Sequence, residues 1–149
     1  MKNGTSKKPK KILIVTAALV VGMLVPYISR IPLAVIRGNP LIWSYMSTGA
    51  DVLRWNGIHI ISLIPMAIFG LIYIYGKLSW GFYASIVGHF GITSFIYYNF
   101  GEKYGLDDFL GCIFFPPMIA FVAGACGAVA FVAELIVQRI TARTTNEIA

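Results

Sequence analysis

Charged residues are so placed in this chain that four long stretches contain none: residues 12–29, 55–76, 78–101 and 109–133, of 18, 22, 24 and 25 residues. An α-helix rises about 1.5 Å per residue, and a hydrocarbon core about 30 Å thick needs roughly 20 consecutive apolar residues to cross it. Four spans fit. The remaining uncharged stretch, 38–50, has 13 residues and contains Asn39 and Pro40, so it is too short and too broken to cross. With 58% hydrophobic and 12% charged residues among 149, the chain is neither disordered nor an ordinary soluble enzyme.

The reading is an all-α membrane protein, a four-transmembrane-helix bundle forming one integral membrane domain over residues 1–149. A basic tail at 1–11 precedes spans at about 12–29, 56–76, 79–100 and 112–138. Outer loops occupy 30–55 and 101–111. The first of them, with apolar Ile42, Tyr45, Met46, Val52 and Leu53 at rough helical spacing, reads as an amphipathic segment on the outer surface between helices 1 and 2.

Orientation follows from the bases, because flanks rich in Lys and Arg stay cytoplasmic. If the spans alternate, one side receives Lys2, Lys7, Lys8, Lys10, Lys11, Lys77, Arg139 and Arg143, eight of the twelve bases, and nets +6 after Glu134 and Glu147. The other side holds Arg30, Arg37, Arg54 and Lys103, which Asp51, Glu102, Asp107 and Asp108 cancel. Both termini are therefore expected in the cytoplasm, in a bacterial inner membrane. The KKPKK run abuts a hydrophobic span, so it is assigned to orientation and to anionic lipid, not to nucleic acid. Pro26-Tyr27-Ile28-Ser29-Arg30 offers no small-x-small cleavage site, so the first span is expected to stay uncleaved. Tyr27, Trp55, Tyr73, Tyr75, Trp80, Tyr83, Tyr97, Tyr98 and Tyr104 cluster at span ends, where amphipathic rings prefer headgroup depth.

Prolines and small residues set expectations for the interior. Pro65 should kink the second helix. Pro116-Pro117 suits a first turn, so the fourth helix is expected to start near Pro117 and run to Gln138, with FLGCIFF as an entry segment. Close backbone approach holds membrane helices together, and the candidates for it are Gly81, Ser85 and Gly88 on the third span and Ala120, Gly124, Gly127 and Ala128 on the fourth, packing within the chain or against a partner.

Chemically active groups are few. No span carries a charge at its middle, where proton-coupled transporters usually place one, and Glu134 is expected to be hydrated near the inner interface. Cys112 and Cys126 are fourteen residues apart, roughly 21 Å on a helix, too far for a disulfide, and read as buried apolar thiols. Glu102, Asp107 and Asp108 are expected to pair with Arg30, Arg37 or Arg54. The intramembrane polar candidates are His89, Ser85 and Asn99, with Ser62 and Thr93 nearby. His59 and His89 are the candidate cofactor ligands; they differ in depth by about 9 Å for straight helices, which opposes bis-histidine haem. No metal or catalytic cluster is visible, and haem is the single cofactor considered. Three functions stay open. The first is a non-enzymatic accessory, assembly, regulatory or immunity and exclusion-type subunit that packs on another membrane protein or on itself. The second is a small channel or transporter lined by His89. The third is a haem or quinone anchor using His59 and His89.

Overall fold

A computed structural model of the chain describes the backbone of residues 7–28, 49–100 and 109–148, and the side chains of 8–25, 60–96 and 114–145. These residues form four helices: α1 (Lys7–Ile28), α2 (Gly49–Tyr75), α3 (Trp80–Phe100) and α4 (Phe109–Ile148). Among the described residues there is no strand. One helix, α4 over Phe114–Thr145, is long and apolar enough to cross a membrane, and Ile60–Tyr75 of α2 is a shorter apolar segment.

The helices run antiparallel in sequence order, as contacts between their ends show. Lys11 near the start of α1 reaches the carbonyls of Tyr73 and Gly76 at the end of α2. Glu134 in the second half of α4 binds the start of α3. α1 packs on α2 and α3, and α4 packs on the same two helices from another side. The apolar centre is Val15, Leu63, Met66 and Phe82, with Phe69, Tyr73 and Phe90 packed against it.

Two helix boundaries differ from expectation. Pro116 and Pro117 lie inside α4 and do not start it, and Pro116 is buried. Proline removes an amide and crowds the carbonyl four residues back, yet α4 continues through this point as one helix, with Pro116 packed in the interior. In the first outer loop, the stretch 49–55 belongs to α2 and is helical. Residues 29–48 and 101–108, which contain the rest of the expected outer loops, lie outside the described residues.

The packing rows also shift. Ala128 lies on the exposed side of α4 and Ala120 is half-buried, while Ile119, Ala123 and Gly127 face inward. Small residues occupy both rows, and a rotation of one residue, 100°, exchanges them, so spacing alone could not choose. Space is tightest at Gly127, where a Cβ would overlap the Phe69 ring of α2, and a Cβ on Gly81 would stand 2.8 Å from the same ring and 3.1 Å from the Gly127 carbonyl oxygen. Gly88 meets Ala123 and Cys126, and Gly124 lies beside Pro65.

Candidate functional site

Ser85, His89 and Thr93 are four residues apart and therefore line one face of α3. All three are at most 1% exposed, as is Ser62 of α2. A polar column thus runs through the interior of the bundle. Ser85 is satisfied within its own helix, its Oγ donating to the Phe82 carbonyl at 2.7 Å. Thr93 Oγ1 is buried and has no hydrogen-bond partner among the described residues.

His89 makes the connections between helices. Its Nδ1 lies 3.3 Å from the Ser62 carbonyl oxygen of α2, and its Nε2 lies 3.3 Å from the Gly22 carbonyl oxygen of α1. The ring of one α3 residue therefore bridges two other helices through their backbones. Both partners are main-chain carbonyls, not side chains. Sequence explains why one of them is available. The Gly22 carbonyl would ordinarily accept the amide of residue 26, but residue 26 is proline and has none. Absence of a side chain at Gly22 brings α1 close, since a Cβ there would stand 2.8 Å from Leu63 Cδ2 and 3.6 Å from His89 Nε2.

A neutral imidazole carries one N–H and can satisfy one of the two carbonyls. Gly22 has the greater need, because Met66 offers an amide to the Ser62 carbonyl within α2, whereas α1 offers nothing at position 26. The geometry therefore suits a hydrogen on Nε2. With both ring nitrogens facing carbonyls, haem ligation by His89 would require one contact to break. His59 and Asn99 fall on α2 and α3, but their side chains lie outside the described residues, as does that of Cys112. Cys126 is exposed on α4 rather than buried. Among the described residues, no three His, Cys, Asp or Glu side chains come together to hold a metal.

A second polar cluster closes one end of the bundle. Lys11 Nζ donates to the carbonyls of Tyr73 at 2.6 Å and Gly76 at 3.0 Å, and lies 4.6 Å from the Tyr73 ring centroid. It thereby places a cation on the carbonyl end of α2, where the helix dipole is negative. The Glu134 carboxylate does the converse for α3, accepting the amides of Ser79 and Trp80, each at 2.7 Å. Glu134 is 6% exposed, so the expected hydrated position is corrected: backbone amides replace the water. Two opposite charges, from α1 and α4, thus secure the ends of the α2–α3 turn at residues 76–79. Sequence reasoning missed both roles, although Ser79 directly before Trp80 is a helix-start signal.

His89 and the clamp are separated by a consistent distance along each helix. Gly22 is eleven residues from Lys11, Ser62 eleven from Tyr73 and His89 ten from Ser79. Each interval is about 15–16.5 Å, about half the thickness of a bilayer core. Compared with known protein families, characterised proteins and solved structures, the chain matches none.

Proposed function

We propose that this chain is a four-span integral membrane protein with both termini in the cytoplasm of a bacterial inner membrane. It acts without catalysis, as an accessory, assembly, regulatory or immunity and exclusion-type subunit that packs against a membrane partner or a second copy. One observation carries the reading: the inward polar side chains are largely engaged by backbone groups, with His89, Glu134 and Lys11 linking one helix to another, while the outward surface is apolar. His89, Ser85, Glu134 and Lys11 all bind backbone groups. Val87, Phe95, Phe121 and Val129 are 57–76% exposed. Such a surface is stable in lipid or against another protein, and costly in water.

Two experiments test it. Alkaline carbonate should leave the chain in the membrane pellet, and reporter fusions should place the tail and residue 77 inside and residue 105 outside. Photo-crosslinkers at the exposed positions Val87 and Val129 should then yield one discrete adduct with a membrane protein or a second copy. Lipid adducts alone at both positions would refute the partner role.

A small channel or transporter is the second reading, favoured by the unpartnered Thr93 hydroxyl one turn from His89. Such a hydroxyl leaves a hydrogen bond for an exchanging ligand to make. Flux into liposomes that drops on His89→Ala would replace the accessory reading with this one, and flux unchanged by the substitution would dismiss it.

A further inference from the structure

Among the described side chains Glu134 is the one acid, and its carboxylate is committed to the amides of Ser79 and Trp80. The cations at the same end have no such occupation. Lys10, Lys77, Arg139 and Arg143 are all exposed, and none has an acidic partner among the described residues. Lys8 is exposed as well, its Nζ 4.9 Å from the Tyr75 ring centroid.

These bases surround the clamp. Lys8 and Lys10 lie within one turn of Lys11, and Lys77 follows Gly76, whose carbonyl Lys11 holds. Arg139 and Arg143 continue α4 five and nine residues past Glu134, about 7.5 and 13.5 Å along the helix. The neighbouring surface is apolar and aromatic: Leu13 on α1, Ile140 on α4, and Tyr75, Trp80 and Tyr83 at the turn are all exposed. Cations without an acidic partner among the described residues, bordering an exposed apolar and aromatic band, match the chemistry of a lipid headgroup, with phosphate at one level and acyl chain at the next. A nucleic acid or acidic protein would match the cations but leave the apolar rim in water.

We propose that this end of the bundle is a binding surface for anionic phospholipid headgroups, with Lys10, Lys77, Arg139 and Arg143 contacting the phosphates. The assignment rests on the membrane reading above. Glu134 is turned to the Ser79 and Trp80 amides, and five exposed bases outnumber this single acid at the same end.

Full-length protein purified in a neutral detergent is titrated with dioleoylphosphatidylglycerol or dioleoylphosphatidylcholine, and the thermal unfolding midpoint is followed. Half-maximal stabilisation should need at least about fivefold less of the anionic lipid, because one base near an anionic surface contributes roughly that factor. The preference should shrink as salt is raised. A variant carrying Lys10→Gln, Lys77→Gln, Arg139→Gln and Arg143→Gln should lose it while keeping the parent's midpoint in phosphatidylcholine, since none of the four has an internal partner among the described residues. Replacing Lys10 and Lys77 by arginine should retain it. Equal stabilisation by the two lipids overturns the proposal, as does an anionic preference unchanged in the glutamine variant. Equal stabilisation by a soluble polyanion such as heparin overturns the lipid assignment in favour of charge alone. Retention in the carbonate pellet separates these failures from failure of the membrane reading, which release would signal.

Discussion

The Glu134 carboxylate of α4 accepts the Trp80 amide at the first position of α3, at 2.7 Å, while its other contacts reach Ser79. A buried acid here neutralises the positive end of a helix dipole and satisfies amides that no helical carbonyl can reach. Glu134→Ala should destabilise the bundle by about 1–3 kcal/mol, the usual cost of leaving buried hydrogen-bonding groups unpaired. Glu134→Gln, which keeps one acceptor oxygen, should lose less. Unfolding in mixed micelles measures both, and an Ala variant as stable as the parent would show that solvent reaches those amides.

His89 and Pro26 should be coupled. If His89 Nε2–H supplies the hydrogen that Pro26 cannot give to the Gly22 carbonyl, Pro26→Ala restores a main-chain donor and makes the ring less needed. His89→Ala should therefore cost about 1 kcal/mol less in the Pro26→Ala background than in the parent. Additive losses in the double-mutant cycle would remove the proposed compensation.

Thr93 should tolerate loss of its hydroxyl. Thr93→Val keeps the shape and removes a buried oxygen without a partner among the described residues. Stability should stay within about 1 kcal/mol of the parent or rise, because no intact hydrogen bond is lost. A clear loss would reveal a partner for the hydroxyl and remove the observation that favours the channel reading.

Two glycines should respond in opposite directions. A methyl group at Gly127 would overlap the Phe69 ring, whereas one at Gly91 meets nothing within 4 Å. Gly127→Ala should cost about 1–3 kcal/mol through overpacking. Gly91→Ala should be neutral or stabilising by up to about 1 kcal/mol, since glycine is the poorer helix residue. Similar unfolding midpoints for the two variants would contradict the close packing of α4 on α2 at Gly127 and Phe69.

Helical class and approximate helix positions were legible in the chain because they depend on local quantities: uninterrupted apolar length, and where charges and aromatic rings fall. His89, Ser85, Ser62 and Thr93 could be singled out for the same reason, as polar groups within apolar runs. What each of them binds depends on how helices rotate and which levels meet, and that is fixed by side-chain volumes acting between segments far apart in sequence. Hence the fold alone decided that Ala123 and Gly127, rather than Ala128, face inward. Pro116 and Pro117 stay within α4, with Pro116 packed in the interior, against their local preference to begin a helix. Lys11 and Glu134 looked like surface charges because a formal charge carries no record of its surroundings; antiparallel packing brought each to a helix end 62 and 54 residues away, at Tyr73 and Trp80, where backbone dipoles could take the place of water.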